Sequence, residues 1–311
     1  MERELVVFSG NANRPLADSI CSWLDIGLGD ATVSQFKDGE TRVELHTNVR
    51  GRDVFIIQPT SRPANHHIME AVILADACRR ASAQRITLVC PYFGYARQER
   101  KSSPRTPITA KLVSDLFTAA GFDRILTFEL HTSAIQGFFN IPVDHLFAKP
   151  VWSSHFRAVD DMVVVSPDAG GVERARAMAK YFNCGLAIVD KRRERPNESS
   201  VMNIIGDVTG KHALIVDDIC DTGGSLTKAA SAIMEAGAKS CSAAISHAVL
   251  SDKAIANIND SALKELVVTD SIQLTPEGRQ SPKIVQLSIA ELLGKAIRRI
   301  HNAESVSSLF I

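Results

Sequence analysis

The chain has 311 residues, of which 45% are hydrophobic, and its 35 Lys and Arg residues balance its 35 Asp and Glu residues. This length allows about two domains, the apolar fraction excludes a disordered chain, and the zero net charge gives no global attraction to nucleic acid or to an anionic membrane. The six cysteines have no CxxC pair and no metal-finger spacing, and no apolar run is long enough to span a bilayer. We therefore expect a cytoplasmic protein with reduced cysteines and with no nucleic-acid or membrane partner.

Apolar strand-like runs alternate with helical patterns along the whole chain. The predicted strands are 5–8, 54–57, 86–89, 125–128, 162–165, 186–189, 213–216, 242–245 and 266–268, and the predicted helices are 66–82, 108–120, 172–182, 226–236 and 289–301. This alternation predicts an α/β protein with mostly parallel sheets flanked by helices. In such sheets ligands bind beyond the carboxyl ends of the strands.

Two similar halves are suggested by segments 86–94 and 162–171, which each run from an apolar strand through a proline into a glycine. We expect two α/β domains that meet near residues 149–157. No low-complexity segment interrupts either half.

The first chemistry-bearing segment is 36–41, which reads FKDGET and leads into the alternating run 42–45. This pattern predicts a hairpin, although a plain Asp-Gly turn would look the same. A second segment, 91–100, follows a predicted strand and combines aromatic residues, a glycine and cations. It suits a nucleotide site, and the alternative is a solvated basic loop. His131 follows another strand, where a structural histidine is the plain alternative.

Residues 166–171, SPDAGG, stand between a predicted strand and a predicted helix, so Asp168 is either a ligand or a helix cap. The run 191–197 contains four cations and follows a predicted strand that ends at residue 190. A charge run is usually a solvated surface, but this one lies at a strand's carboxyl end. We expect an exposed, mobile loop there.

The strongest signal is the segment 213–230, ALIVDDICDTGGSLTKAA. A buried strand at 213–216 is followed by Asp217 and Asp218, then by a glycine turn, and then by a helix from residue 226. The turn's N–H groups and the helix N-terminus suit a phosphate, and the two glycines allow left-handed conformations there. Two adjacent carboxylates are a costly structural accident. Cys220 is better explained as a small filler than as a catalytic group.

Segment 217–225 resembles the ribose-phosphate loop of type I phosphoribosyltransferases and of ribose-phosphate pyrophosphokinases (phosphoribosyl pyrophosphate synthetases). The other segments resemble the pyrophosphokinase motifs FxDGE, PYxGYARQ, DLHxxQIQGFF, SPDxGG and KRR in the same order, and the likeness runs from residues 8–11 to 305–310. The resemblance implies two tandem phosphoribosyltransferase-like domains. Domain 1–148 would contribute to ATP binding, and domain 149–311 would carry the ribose 5-phosphate loop and the catalytic loop.

The resemblance also implies the reaction, which transfers the diphosphoryl group of ATP to the 1-hydroxyl of ribose 5-phosphate. It assigns ATP contacts to Phe36, Asp38, Gly39, Glu40, Arg97 and Gln98, and ribose 5-phosphate contacts to Arg193, Asp217, Asp218, Asp221, Thr222, Gly223, Gly224 and Ser225. His131 and Asp168 match Mg²⁺ sites of the family. Lys191 and Arg193 match the cations that act in the transition state.

Two alternatives stay open on the residues alone. A type I phosphoribosyltransferase would use 217–225 without needing segments 36–40 or 191–193, and a non-catalytic regulatory subunit would have lost the acidic loop or the KRR. The chain departs from the family in having Glu129 where Asp is usual and a shorter, less basic segment at 101–107. Phosphate activation and ADP inhibition therefore stay open. Family members usually form hexamers, so we expect a homo-oligomer.

Overall fold

The structure of the chain is a computed structural model that describes residues 4–192 and 201–309. In the first half the elements are β1 (Leu5–Ser9), α1 (Arg14–Leu24), β2 (Ala31–Gln35), β3 (Thr41–Leu45), β4 (Asp53–Ile57), α2 (Ala64–Arg80), β5 (Arg85–Cys90), α3 (Thr109–Ala120), β6 (Arg124–Phe128), a 3₁₀ turn (Ser133–Phe138) and β7 (Val143–Leu146).

The second half continues in the same α/β manner. Its elements are α4 (Lys149–His155), β8 (Met162–Ser166), α5 (Val172–Phe182), β9 (Gly185–Arg192), β10 (Val201–Ile205), β11 (His212–Cys220), α6 (Gly224–Glu235), β12 (Ser240–Ala248), α7 (Ala254–Asn259), β13 (Leu266–Thr269), α8 (Pro276–Gln280), β14 (Ile284–Leu287), α9 (Ala290–His301) and a 3₁₀ turn (Ser307–Leu309).

The chain divides into two compact units. The first runs up to Ala148, where we predicted the boundary, but it also takes in 271–273 and the chain from Ser288 onward. The C-terminal helix α9, predicted as part of domain 149–311, therefore belongs with the first unit. Its buried stripe includes Leu293 and Ile297, and α9 packs against α1. Burial of this stripe stabilises the helix there.

The first unit is built on a five-stranded sheet in the order β1-β4-β5-β6-β7, with every neighbouring pair parallel. Strand β4 is buried along its whole length, as expected for a parallel strand covered on both faces. One face packs against α2 and α3 in a single apolar cluster. The antiparallel hairpin β2–β3 forms a separate two-stranded sheet, which confirms the hairpin predicted at 36–45.

The second unit is built on a seven-stranded sheet in the order β10-β9-β8-β11-β12-β13-β14. All neighbours are parallel except β10 with β9. The strand order reverses between β8 and β11. Such a reversal leaves a crevice at the carboxyl ends of the two strands, and ligands bind there in open α/β sheets.

Several boundaries differ from the predicted ones. Strand β11 continues to Cys220 instead of ending at residue 216, and β9 continues to Arg192 instead of ending before the cation run. Both extensions exist because a neighbouring strand pairs with them: β12 pairs with β11 as far as Cys220, and β10 pairs with Lys191 and Arg192. Helix α6 begins two residues earlier than predicted, at Gly224. The edge strands β7 and β14 have four residues each and were missed.

All six cysteines lie within the described residues and none forms a disulfide. Burial raises the pKa of Cys220 to about 12, so its thiolate is scarce at neutral pH and the filler interpretation holds. Among the helices of the described segments, none has the length and apolar character that a membrane crossing requires.

Replacing Gly294 tests the docking of α9. A Cβ added there would lie 2.4 Å from Trp23 Cε3 on α1, so the ring must move. We expect Gly294→Ala to lower the free energy of unfolding by about 1–3 kcal/mol, measured by urea denaturation. The control is Gly27→Ala, because a Cβ at Gly27 meets nothing within 4 Å. Equal stability of the two variants would contradict the packing argument.

Candidate active site

The acidic pair lies in the crevice where the second unit's strand order reverses. Strand β11 pairs with β8 only as far as Ile215, but with β12 through Asp217 to Cys220. The two acids therefore belong to β11, which corrects the prediction that they follow the strand. Both acids lie beyond the last residue of β11 that pairs with β8, so within the described residues the β8 side of β11 has no paired strand beside them and can face a ligand.

Arg174 joins the two carboxylates and was missed in the sequence. Its Nη1 lies 3.4 Å from Asp217 Oδ1 and 3.5 Å from Asp218 Oδ1, and its side chain is 15% exposed. Arg174 stands in the first turn of α5, three residues after the two glycines of SPDAGG. That position is visible in the sequence, but its contact with β11 arises only from the packing of α5 on β8 and β11.

The carboxyl group of Asp217 has a strongly perturbed pKa. Burial, followed by the negative charge of Asp218, raises the pKa of Asp217 to about 8, while Arg174 acts in the opposite direction. Perturbed carboxyls in a crevice are typical of functional sites. A cationic or hydroxyl-bearing ligand would relieve the repulsion between the two groups.

The loop after β11 has the geometry of an anion site. Gly223 has a φ of 74° and precedes α6, and no side chain caps that helix. Its first-turn N–H groups are therefore available for a phosphate. Gly224 does not adopt the left-handed conformation that we predicted for both glycines, because it is already the first residue of the helix. Thr222 and Ser225 are exposed beside it.

Two residues from the segment after β12 hold this loop in place. Ser251 donates from its hydroxyl to Asp221 Oδ1 and from its backbone N–H to Asp221 O at 3.0 Å. Asn257 Nδ2 donates to Thr222 O at 3.0 Å. Neither residue carried a signal in the sequence, because its role depends on a contact between distant segments.

The SPDAGG segment lies against the acidic pair. Asp168 Oδ1 accepts hydrogen bonds from the N–H groups of Gly170 at 2.8 Å and Gly171 at 3.1 Å. A Cβ at Gly171 would lie 3.5 Å from Asp217 Oδ1 and 2.9 Å from Ser166 Oγ, so this position needs glycine. Asp168 thus bonds to the turn before α5 and does not act as a side-chain cap of that helix, whose N-cap is Gly171, and it remains exposed at the crevice.

The first unit carries the hairpin tip at 36–40. Phe36 N–H donates to Glu40 O at 2.8 Å, Glu40 N–H donates to Asp38 Oδ1 at 3.2 Å, and Gly39 has a φ of 94°. These bonds form a tight turn that leaves the ring of Phe36 52% exposed. An exposed aromatic ring on a rigid turn can stack on a base.

The segment after β5 is a second exposed feature of the first unit. Gly94 N–H donates to Thr60 Oγ1 at 2.6 Å, and a Cβ at Gly94 would lie 2.4 Å from Thr60 O. This close approach turns the chain so that Arg97 and Gln98 are exposed. Gln98 Oε1 also accepts from Thr109 Oγ1 at 2.5 Å, which links the segment to the start of α3.

Glu129 and His131 follow β6. Glu129 is buried with a φ of 44°, and its Oε2 accepts from Ala148 N–H at 2.7 Å. The next N–H, of Leu130, donates to His145 Nε2 at 2.9 Å. Glu129, which stands where Asp is usual, therefore bonds to the backbone of Ala148, the last residue of the first unit's main segment. His131 is half-buried beside it.

Of the two predicted catalytic cations, Lys191 and Arg193, the structure describes the backbone of Lys191. Lys191 is in β9, paired with Met202 of β10, and Arg193 lies outside the described residues. Within residues 4–192 and 201–309, no group of three or more His, Cys, Asp or Glu side chains could hold a metal ion. Of the residues predicted from the sequence, the structure brings Asp168, Asp217 and Asp218 together in the crevice of the second unit, beside the loop at 221–225.

The fold is that of an α/β protein whose two larger sheets are mostly parallel and flanked by helices. Residues 5–121 match the model of the N-terminal domain of ribose phosphate pyrophosphokinase, and residues 191–311 match that of the phosphoribosyl synthetase-associated domain. Ribose-phosphate pyrophosphokinases from Agrobacterium fabrum and Brucella melitensis are 56% and 57% identical over 307 residues, covering 98% of this chain and 99% of each relative.

A solved structure agrees with these relatives. The crystal structure of phosphoribosylpyrophosphate synthetase from Mycobacterium smegmatis matches with a TM-score of 0.92 at 39% identity, covering 97% of this chain and 100% of that one. The chain belongs to the ribose-phosphate pyrophosphokinase family. It is therefore an enzyme of the diphosphotransferase type.

Substituting Asp217 tests the strain of the acidic pair. Because the folded pKa of Asp217 is raised to about 8, the folded protein holds this proton more tightly than the unfolded chain, and stability falls as pH rises towards 8. We expect Asp217→Asn to remove that loss in the ligand-free protein. Its Tm should exceed the parent's by a margin that grows between about pH 5 and pH 8.

The matched control is Asp161→Asn. The hydrogen bond from Lys239 lowers the pKa of Asp161, so Asp161 stays ionised throughout the same pH interval. Its substitution should change Tm by an amount that does not depend on pH in that range. A pH-independent margin for Asp217→Asn would contradict the strain argument.

Proposed function

We propose that the enzyme transfers the diphosphoryl group of ATP to the 1-hydroxyl of ribose 5-phosphate, which gives phosphoribosyl pyrophosphate and AMP. The observation that carries the proposal is the crevice between β8 and β11, which combines paired carboxylates with an uncapped helix N-terminus. A phosphorylated sugar presents hydroxyls and a phosphate to those two features at once.

Ribose 5-phosphate binds in this crevice of the second unit. Its phosphate lies on the N–H and hydroxyl groups of residues 221–225, and its 2- and 3-hydroxyls bind Asp217 and Asp218. The left-handed Gly223 and the anchoring bonds from Ser251 and Asn257 support this assignment. Arg193 adds a further contact to this substrate.

ATP binds through residues of the first unit. Phe36, Asp38, Gly39 and Glu40 contact the adenine, and Arg97 and Gln98 contact the nucleotide, with Arg97 suited to its phosphates. The exposure of Phe36, Arg97 and Gln98 supports these roles. A type I phosphoribosyltransferase has no use for the 36–40 turn, so this turn favours the pyrophosphokinase over that alternative.

Mg²⁺ is the metal that suits the carboxylate groups of the crevice. Asp168 offers carboxylate oxygen atoms, which this ion prefers, and Asp217 and Asp218 bind the ribose hydroxyls directly or through the ion. His131 contributes near the ATP phosphates of the first unit. When bound, the ion neutralises phosphate oxygens and binds ATP.

Catalysis needs no protein nucleophile. The 1-hydroxyl of the sugar attacks the β-phosphorus of ATP in line, the bond to the α-phosphate oxygen breaks, and AMP leaves. The protein positions the two substrates and stabilises the developing charge, as in other phosphoryl transfers. Lys191 and Arg193 supply that charge in the transition state.

Substituting Lys191 tests its role. We expect Lys191→Ala to lower kcat by about a hundredfold or more, with a small change in the KM for ribose 5-phosphate, because a transition-state contact is lost. The measurement is AMP formation from ATP, Mg²⁺ and ribose 5-phosphate, with phosphoribosyl pyrophosphate quantified in parallel. Lys239→Ala is the control, since Lys239 forms an exposed ion pair with Asp161.

Near-normal turnover by Lys191→Ala would contradict the role assigned to Lys191. Absence of AMP with the folded parent enzyme would contradict the proposed reaction itself. Running the assay with and without inorganic phosphate also measures whether the shortened 101–107 segment supports activation.

We also propose a cytoplasmic homo-oligomer, a hexamer by family resemblance. Met69 on α2 and Leu112 and Leu116 on α3 are 43–56% exposed, and α2 packs against α3. Leu112 and Leu116 are four residues apart and so share one face of α3, and an exposed apolar face is typical of a protein interface. Sedimentation equilibrium should give a mass several times that of the 33.8 kDa chain, and Leu112→Glu should lower it.

A further inference from the structure

A buried carboxylate in the first unit, outside the residues assigned above, organises an unusual set of donors. Glu70 lies on α2 and is 0% exposed. Its Oε2 accepts from Asn11 N–H at 3.0 Å and from Gln58 Nε2 at 2.6 Å, and its Oε1 accepts from Asn11 Nδ2 at 2.6 Å. His66 Nε2 lies 3.0 Å from Oε1. Three N–H donors and one imidazole nitrogen therefore surround the two oxygen atoms of this carboxyl group.

Two of the side chains around Glu70, Asn11 and His66, also contact strand β2. The amide Nδ2 of Asn11 also donates to Val33 O at 3.2 Å, and the second ring nitrogen of His66, Nδ1, lies 3.2 Å from Gln35 Nε2. If Nε2 of His66 carries the proton that binds Glu70, Nδ1 accepts from Gln35. The carboxylate is therefore connected to β2 at Val33 and Gln35, the latter directly preceding Phe36.

The hairpin depends on the rest of the first unit for its position. Among the described residues, strands β2 and β3 form a sheet of two strands, and a two-stranded hairpin is marginally stable by itself. Apolar contacts of Val33, Val43 and Leu45 hold it against the core, but such packing is weakly directional. Hydrogen bonds are directional, so the bonds that lead from the buried Glu70 carboxyl group to β2 restrict the position of the hairpin relative to α2 more than the apolar packing does.

We propose that Glu70 is the positioning residue that holds the β2–β3 hairpin, and with it the 36–40 turn, in the orientation required for ATP. The inference rests on the proposed function for its ATP part. Glu70 does not contact the nucleotide in this proposal and acts through Asn11, His66 and β2.

The test uses Glu70→Gln, which keeps the shape of the side chain and replaces one acceptor oxygen by an NH₂ group. The new NH₂ group is a donor and faces the donors of Asn11 and Gln58, so at least one of the buried hydrogen bonds to residue 70 is lost. We expect the KM for ATP to rise about tenfold, in line with loss of hydrogen bonds to a charged group. The KM for ribose 5-phosphate should stay within about twofold, because this substrate binds in the crevice of the second unit and Glu70 has no contact with that crevice in this proposal.

A second readout does not depend on activity. Amide hydrogen exchange of β2 and β3 should accelerate in Glu70→Gln relative to β4 and β5. The matched control is Asp53→Asn, because Asp53 is also 0% exposed but binds Arg85 and His301 instead of the hairpin. This control should lower stability and leave both the KM for ATP and the hairpin exchange unchanged.

Gln35→Ala carries the same test if Glu70→Gln does not fold, since Gln35 is exposed and its loss leaves the buried carboxylate satisfied by Asn11 and Gln58. It should raise the KM for ATP and accelerate exchange in β2. Unchanged hairpin exchange in the folded variant would overturn the inference. Faster exchange with an unchanged KM for ATP would overturn its functional part, whereas an inactive parent enzyme would overturn the proposed function and leave the exchange result intact.

Discussion

The crevice of the second unit is arranged around two adjacent carboxyl groups at the end of one strand. Asp217 and Asp218 follow four consecutive buried residues of β11, so they have little water to screen their charges. Burial, followed by the negative charge of Asp218, raises the pKa of Asp217 to about 8, and Arg174 acts in the opposite direction. Carboxyl groups perturbed in this way are typical of functional sites.

Buried carboxylates play a different part in the first unit. Glu70, Asp53 and Glu129 are each buried, and each accepts hydrogen bonds from segments far away in sequence. Removing a partner from a buried charge is strongly unfavourable, so each carboxylate fixes the segments that surround it. The hairpin, the C-terminal helix α9 and the segment after β6 are held in this way, on a core that is otherwise apolar.

The C-terminal helix shows how side-chain packing sets the limits of a unit. Asp53 binds Arg85 and His301 at the end of α9, and Arg298 stacks on Trp23 at 4.4 Å. Because of these contacts, the C-terminal segment from Ser288 onward packs as part of the first unit. The hydrophobic periodicity of 289–301 predicts the helix but does not indicate which of the two units its apolar stripe covers.

The sequence by itself determined the fold class and most of the strands and helices, and it predicted which segments carry the chemistry. These features depend on local periodicity, on glycine turns and on residues that are close together in the chain. Only the tertiary structure decided that β11 extends through Asp217 and Asp218, that Arg174 joins them, and that Glu70 is linked to the hairpin. Each of these depends on pairing or hydrogen bonding between distant segments, and the hydrophobic pattern of a single segment contains no information about its partner.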